Sequence, residues 1–276
     1  MEMYTDVLVL GIAGNFAGHL QQAGEAADFA QIEGADLAMP QALFPIYVPA
    51  ESSSFLTNFP LSHDAIQLPL DVDNLQIEPE VGLLCDVIYD QNNHVVDLLP
   101  QAFGAFNDCS IRRPNANKIS EKKNWGTASK GIAKTMLPVS GFSRGGEIDQ
   151  YRIASFHQRG EAFEQYGEDC EISGYTYFYD TLLNWIGEQM NQQQDIGPKE
   201  NLKQMIAEAN HPSQVLLALG ATRYTPYGES NFLERGDVSM VVVYDQRSYT
   251  PQTIRQLAAA NDLQKQGISA VVQTVF

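Results

Sequence analysis

The sequence has few cysteines, and their spacing excludes two common uses of this residue. Cys85, Cys109 and Cys170 are the three cysteines among 276 residues, and no C-x-x-C pair occurs. Widely spaced cysteines, odd in number, argue against a disulfide framework and against a structural zinc site. They are typical of a protein in a reducing compartment, so we predict a cytoplasmic location.

Basic residues and long apolar runs are also scarce. The chain has 17 Lys and Arg side chains against 34 Asp and Glu, which gives a formal net charge of -17. Such a surface repels phosphate backbones and anionic lipids, so we expect neither nucleic acid nor a membrane as a partner. No stretch approaches the roughly 20 apolar residues that span a bilayer, and the first residues lack the basic region of a signal peptide.

The apolar residues that are present are sufficient for a packed core. Hydrophobic residues make up 44% of the chain and aromatic residues 10%. A chain of this length forms one large domain or two small ones. We interpret residues 1–70 as an N-terminal strand and lid region, and residues 71–276 as a metal-binding, β-rich catalytic domain, within one continuous globular unit.

Hydrophobic periodicity predicts strands both before and after a group of helices. Because strands and helices do not alternate regularly, the pattern indicates an α+β fold rather than a doubly wound sheet. Five prolines predict a loop over residues 39–69. The predicted strands are 6–13, 79–89, 94–99, 238–244 and 268–276, with a turn over 90–93; the predicted helices are 17–31, 178–190, one starting at Pro198 and one capped by Thr250.

Two familiar motifs occur in part, and we reject both. Residues 7–14 open like a dinucleotide-binding turn, but Ala13 stands where the second glycine lets the backbone approach a pyrophosphate. Residues 141–145 match G-x-S-x-G, yet no amphipathic helix follows, as a nucleophile elbow requires. A flexible glycine loop is the better interpretation of this segment.

Acidic residues at the ends of predicted strands form the strongest chemical signal. Glu78 and Glu80 flank Pro79 at a strand start, where residues i and i+2 point to one face. Asp108 follows the apolar patch 103–106. Three carboxylates form an all-oxygen set suited to magnesium, manganese or calcium rather than zinc. From these residues alone, the alternative is a set of solvated acidic strand ends.

A local excess of basic residues runs against the overall charge. Six of the 17 basic residues fall within residues 107–131: Arg112, Arg113, Lys118, Lys122, Lys123 and Lys130. This concentration indicates an anion-facing loop, and a solvated loop is the alternative.

Several of these motifs, taken in order, resemble one enzyme family. The E-x-E pair, then residues 106–112, then Trp125 with residues 129–131, is similar to the fumarylacetoacetate-hydrolase-like pattern of E-x-E, N-D-V-S-A-R and W-x-x-x-K-G. Further short matches lie at residues 11–19, 160–161, 219–222 and 232–238. The resemblance therefore covers about residues 7–245.

The resemblance implies a fold, a metal and site residues. The fold would be a β-rich α+β roll with a mixed sheet and a few peripheral helices, and the chain would assemble as a homodimer. Glu78, Glu80 and Asp108 would bind Mg²⁺, or alternatively Mn²⁺ or Ca²⁺. His19 would be the general base on a lid, and Lys130 and Arg112 would face the substrate or orient the metal ligands. The implied substrate-binding residues are Thr222, Asn15 and Gln22.

The implied activity is that of a metal-dependent hydrolase or lyase. It would break a C–C bond of a small 2-oxo or 1,3-dicarbonyl carboxylic acid, or decarboxylate it, through a metal-stabilised enolate. The expected partner is thus a small anionic oxoacid.

Two departures from the family pattern keep other functions open. Gln22 stands where the family pairs its histidine with Glu in H-x-x-E, and a neutral amide cannot stabilise an imidazolium by charge. Glu25 is nearby and can substitute for it. Ala133 replaces an Asp of the family. The alternatives are decarboxylation or tautomerisation without His19, a catalytically degenerate protein that binds metal and oxoacid, and a structural domain without a metal.

Overall fold

Two large packed sheets, a separate two-stranded sheet and several helices make up the described chain. The structure is a computed structural model and describes residues 1–24, 39–70, 72, 74–113 and 116–276. The strands are β1 (Leu8–Ala13), β2 (Ala42–Tyr47), β3 (Leu61–Ser62), β4 (Ala65–Ile66), β5 (Leu75–Gln76), β6 (Pro79–Tyr89), β7 (Val95–Asn107), β8 (Ser110–Ile111), β9 (Lys130–Ile132), β10 (Leu137–Pro138), β11 (Tyr151–Arg159), β12 (Ala162–Glu171), β13 (Gln214–Ala218), β14 (Val238–Asp245) and β15 (Ile268–Val275). The α-helices are α1 (His19–Gln22), α2 (Tyr179–Gln192), α3 (Leu202–Glu208), α4 (Pro226–Ser230) and α5 (Pro251–Ala259).

Both sheets are mixed, as an α+β fold allows. In the described chain, the larger sheet has eight strands in the order β2-β1-β13-β6-β7-β9-β3, with β10 also paired to β7. The smaller sheet has five strands in the order β12-β11-β14-β15-β4. The β1–β13, β3–β9 and β15–β4 pairs are parallel. The predicted α+β class is confirmed.

The hairpin of β6 and β7 forms the middle of the larger sheet. Its antiparallel register pairs Pro79 with Asn107 at the open end and Tyr89 with Val95 beside the predicted turn. β6 has the predicted bounds, whereas β7 is longer than the predicted strand 94–99. Pro100 does not end β7 because the register shifts opposite it, between Leu84 and Cys85, and an irregularity of this kind accommodates a residue without an N–H group.

The two sheets are joined by polar side chains within an otherwise apolar interface. Asn107 Nδ2 donates to Ser239 Oγ at 3.2 Å and to Gln273 Oε1 at 3.0 Å. Gly131 allows the sheets to approach closely, since a Cβ atom there would lie 2.1 Å from Gln273 Oε1. The end of β7 is therefore held by both sheets.

Two sequence predictions were wrong. The predicted loop 39–69 contains β2, whose Pro45 is tolerated because β2 is an edge strand of the larger sheet. The helix predicted from Pro198 begins only at Leu202, since the Asn201 side chain accepts from Gln204 N and is a favourable N-cap.

The predicted helix 17–31 is represented in the described chain by α1, which ends at Gln22. Residues 25–38, with Glu25 and much of the predicted lid, lie outside the described residues. Among those that are described, no helix has the length and apolar character needed to cross a membrane. The division at residue 70 stays a prediction.

Candidate metal centre

The open end of the β6–β7 hairpin brings the three predicted metal ligands together. Glu78 directly precedes β6, Glu80 is its second residue, and Asp108 directly follows β7. Asp108 N donates to Glu78 O at 3.0 Å, so the two chain segments are in direct contact. Glu78 and Asp108 are 30 residues apart in sequence but adjacent in space, because the two strands of a hairpin run back alongside each other.

The three side chains form a compact and buried set of oxygen donors. Glu78, Glu80 and Asp108 each offer a ligand atom, and these atoms lie within 4.8 Å of one another. Their exposed fractions are 2%, 2% and 0%. Buried carboxylates at this separation repel one another unless cations are present. The donor set therefore fits a hard divalent ion such as Mg²⁺, Mn²⁺ or Ca²⁺.

Three basic side chains surround the carboxylates. Lys123 Nζ lies 2.6 Å from Glu78 Oε2 and 2.6 Å from Asp108 Oδ2. Arg112 Nη1 lies 2.7 Å from Glu78 Oε1, and Lys130 Nζ lies 3.3 Å from Asp108 Oδ1. The basic segment that was predicted to face an external anion thus directs these three cations at the chain's own carboxylates.

The three acids do not share one environment. Burial would raise the pKa of Glu78, but Lys123, Arg112 and His19 outweigh it and hold that pKa well below its ordinary value. Burial raises the pKa of Glu80 well above its ordinary value, and the negative charges of Asp108 and Glu78 add to this. Glu80 is therefore the ligand that most needs a further cation to ionise.

Glu80 is positioned by the main chain of the 219–222 segment. Gly220 N donates to Glu80 Oε2 at 2.7 Å. Gly220 has φ 110, and a Cβ atom there would lie 3.2 Å from Asn15 Cβ, so both conformation and space favour glycine. This contact gives a physical role to the L-G-A-T segment singled out in the sequence.

His19 lies beside the carboxylates with its ring orientation set by a carbonyl group. His19 Nδ1 is 3.0 Å from Thr222 O. Since a carbonyl oxygen only accepts, Nδ1 carries the hydrogen, and a neutral ring has its lone pair on Nε2. The ring also packs edge-on against Tyr224, with centroids 5.2 Å apart.

The residues predicted to bind substrate bond extensively to the main chain. Gln22 Nε2 donates to Tyr224 O at 3.2 Å, and Tyr224 N donates to Gln22 Oε1 at 2.9 Å. Asn15 Nδ2 donates to Tyr177 O and Leu219 O, and Asn15 Oδ1 accepts from Tyr177 N. Gln22 and Asn15 thus brace the segments around His19, and their substrate contacts stay predictions.

Thr222 lies between the base and the first metal ligands. The Thr222 N–H donates to Pro79 O at 3.1 Å, and Thr222 is 1% exposed.

Lys130 is completely buried; its ammonium donates to Cys109 O and lies 4.7 Å from the centre of the Trp125 ring. Lys130 therefore orients Asp108 in the described structure.

The sequence did not single out Lys123 or Tyr224 as site residues. Lys123 was one of six basic residues in its segment, and no spacing rule distinguished it. Tyr224 Oη accepts from Arg112 Nη2 at 2.7 Å. The only sequence signal for Tyr224 was its place two residues after Thr222.

Comparison with protein-family sequences identifies one matching family. A sequence family described as a family of unknown function (DUF5718) matches residues 25–275. No curated protein sequence matches the chain.

Solved structures give more specific likenesses. The chain is similar to a fumarylacetoacetate hydrolase family protein from Yersinia pestis CO92, with TM-score 0.53 and 14% identity over 98% of this chain and 94% of that one. It is similar to 5-carboxymethyl-2-hydroxymuconate delta-isomerase from Mycobacterium smegmatis, with TM-score 0.52 and 13% identity over 97% and 78%. It is also similar to 2-keto-3-deoxyarabinonate dehydratase, with TM-score 0.53 and 14% identity over 97% and 72%. These likenesses confirm the fumarylacetoacetate-hydrolase type of fold.

Proposed function

Because the chain belongs to the DUF5718 family and has the fumarylacetoacetate-hydrolase type of fold, we propose that it is a metal-dependent enzyme acting on a small oxoacid. The substrate class is a 2-oxo or 1,3-dicarbonyl carboxylic acid. The reaction is either cleavage of a C–C bond, as by a hydrolase or a lyase, or decarboxylation. We infer a cytoplasmic homodimer, with Mg²⁺, Mn²⁺ or Ca²⁺ as the bound ion.

One observation carries the proposal: three buried carboxylates converge at the open end of a hairpin. Their ligand atoms lie within 4.8 Å of one another. Burying three acids with their counter-cations carries a desolvation cost, and clusters of buried ionisable groups are typical of functional sites. When bound, a divalent ion there supplies chelation of the substrate's carboxylate and keto oxygens, and stabilises the negative charge that develops as the bond breaks.

The chain's own residues perform the remaining tasks. His19, with Nδ1–H donated to Thr222 O, presents Nε2 as the atom that removes a proton from water. Lys130 orients Asp108, and Arg112 orients Glu78. Arg112 is also the more exposed of these two cations, with 11% of its side chain accessible, so it is the better candidate for the substrate's carboxylate. The Thr222 hydroxyl is the second candidate for substrate contact.

One observation favours the second candidate function, an oxoacid-binding protein without turnover. Gln22 uses its amide on the main chain of Tyr224, and His19 bonds a carbonyl oxygen rather than a carboxylate at Nδ1. A carbonyl orients the ring but provides less charge for an imidazolium than a carboxylate does.

Thermal stability in the presence of metal and oxalate tests the proposal. A ligand that binds only the native state raises the melting temperature, by about 5 °C at 100 times its dissociation constant for a domain of this size. We expect Mn²⁺ or Mg²⁺ to stabilise the wild type and oxalate to add to this effect only when metal is present. Glu80→Gln, which resembles protonated Glu80 in shape, should lose both responses.

A substrate panel then separates the two functions. Acylpyruvates and oxaloacetate are incubated with the metal-loaded protein, and products are followed by absorbance and by chromatography. Turnover that disappears in Glu80→Gln supports the enzyme. Oxalate binding without turnover of any panel member supports the binding protein, and no response to metal or oxalate removes both.

A further inference from the structure

Lys123 lies between carboxylate oxygens of two of the three candidate metal ligands. Its ammonium nitrogen lies 2.6 Å from Glu78 Oε2 and 2.6 Å from Asp108 Oδ2. Divalent ions sit about 2.0–2.6 Å from their oxygen ligands. An ion bound to the same two oxygens would therefore lie almost where the ammonium is, and the two cations cannot share that place.

The structure holds Lys123 there by more than charge. Its side chain is 3% exposed, and its ammonium lies 5.1 Å from the centre of the Phe44 ring. The next residue, Asn124, donates from Nδ2 to Ile46 O and to Asn58 O, both at 2.9 Å. Lys123 is thus anchored against β2 and aimed inward, unlike a mobile surface lysine.

The formal charges agree with this geometry. Arg112, Lys123 and Lys130 supply three positive charges to the three carboxylates. A divalent ion added to this set would leave a buried excess of two positive charges, which is unfavourable in a low-dielectric interior. Removal of the Lys123 ammonium from the set reduces the excess to one, and an anionic substrate can then balance it.

We propose that Lys123 is an internal counter-cation that competes with the metal ion for Glu78 and Asp108 and so sets the affinity for metal. This inference rests on the metal site of the proposed function. Metal binding requires the ammonium to withdraw, and the carboxylate of an oxoacid offers it a new partner. The wild type should therefore bind metal weakly alone and more tightly together with a dicarboxylate such as oxalate.

Mn²⁺ binding measured by calorimetry, and by loss of the electron paramagnetic resonance signal of free Mn²⁺, tests the competition. We compare the wild type with Lys123→Met, which keeps a long side chain without charge. Lys123→Met should bind Mn²⁺ at least about 10-fold more tightly. Lys123→Arg, which keeps the charge, should bind no more tightly than wild type. Lys118→Met, at a partly exposed ion pair with Asp195, is the matched control and should leave the affinity unchanged.

The oxalate dependence distinguishes competition from a merely structural role. Oxalate should tighten Mn²⁺ binding at least several-fold in wild type, and by much less in Lys123→Met. If Lys123→Met folds poorly without metal, its melting temperature is followed across a Mn²⁺ series. A larger rise than in wild type supports the proposal, and failure to fold at millimolar Mn²⁺ overturns it.

Two negative outcomes have different meanings. Equal affinity of wild type and Lys123→Met for Mn²⁺ overturns the competition while leaving the metal site of the proposed function in place. Absence of Mn²⁺ binding in both proteins at millimolar concentration overturns the competition and the metal site together.

Discussion

The carboxylate of Asp237 is buried like those of the metal centre, but its surroundings differ. Asp237 accepts from Arg159 at 2.9 and 2.7 Å and from Glu234 N at 2.8 Å, and it lies 2.8 Å from His157 Nε2. One acid is thus surrounded by several donors. At the metal centre three acids lie with their ligand atoms within 4.8 Å of one another. Repulsion between these acids therefore offsets part of the stabilisation that their basic neighbours provide.

The pKa directions express this difference. Burial would raise the pKa of Asp237, but hydrogen bonds from Arg159, Glu234 N and His157 hold it below its ordinary value. Burial and the neighbouring acids raise the pKa of Glu80 well above its ordinary value. A single carboxylate surrounded by hydrogen-bond donors stabilises the folded state. A cluster of carboxylates destabilises it, and such a cluster is retained where function requires it.

The largest expected effect is the loss of stability in Asp237→Asn. The amide removes the buried charged acceptor shared by Arg159 and His157 and leaves Arg159 only the exposed Glu234, and we expect a loss of about 3 kcal/mol in the free energy of unfolding. Glu80→Gln, measured without metal, should change that free energy by less than about 1 kcal/mol, because the Gln amide oxygen can still accept from Gly220 N and the repulsion between Glu80 and the other two acids is removed. Urea denaturation with comparison of midpoints and m-values measures both.

Arg223→Gln is the control for this pair. Arg223 and Glu168 form an exposed ion pair at 2.9 Å, with 48% and 42% of their side chains accessible. Its loss should cost about 0.5 kcal/mol or less. If Glu80→Gln costs as much as Asp237→Asn, the two clusters are alike and the contrast between them is wrong.

Glu200 sharpens the comparison as a buried acid outside both clusters. It accepts from the Ser120 hydroxyl, and burial raises its pKa to about 7. Because the folded pKa is above the unfolded value, the stabilising contribution is complete below about pH 4 and is lost as the pH rises through 7.

The expected loss of stability from pH 4 to pH 8 is about 3 kcal/mol in the wild type relative to Glu200→Gln. Thermal unfolding across this range measures it. Glu208→Gln, at an exposed position on α3, is the control and should follow the wild-type curve. A Glu200→Gln curve parallel to wild type would contradict the assignment.

A smaller effect than those of Asp237→Asn and Glu200→Gln is expected at the glycine that supports Glu80. Gly220→Ala places a side chain on a residue with φ 110 and should cost about 1 kcal/mol. It should also weaken the stabilisation by Mn²⁺, since Gly220 N bonds Glu80. Gly145→Ala, with φ 79 and nothing within 4 Å of its Cβ, is the control for strain alone. Equal responses to Mn²⁺ in both variants would remove the role of Gly220.

Much of the candidate site could be predicted from short motifs. Glu78, Glu80 and Asp108 were found by residue type, order and position at strand ends, and β6 was predicted with its observed bounds. Their meeting follows from the β6–β7 register, which pairs Pro79 with Asn107. A hairpin is a local structure, so alternation of apolar residues and a turn signal were sufficient to predict it.

Other features depended on partners distant in sequence. The sequence predicted a loop at Pro45. Its position on an edge strand could not be predicted, because the order of strands in the whole sheet determines it. The sequence did not distinguish Lys123 from five other basic residues. Its burial depends on Phe44, and its orientation depends on the hydrogen bond that anchors Asn124 to Ile46. Neither contact produces a hydrophobic periodicity in the sequence around residue 123.

The sequence by itself determined the chemistry available: an α+β chain with an all-oxygen donor set, a histidine and an excess of acid. Only the tertiary structure decided which cation faces those donors. The reason is physical, since residue type and local period follow from the chain alone, whereas the burial of a charge depends on long-range packing that brings its counter-charges within hydrogen-bond distance.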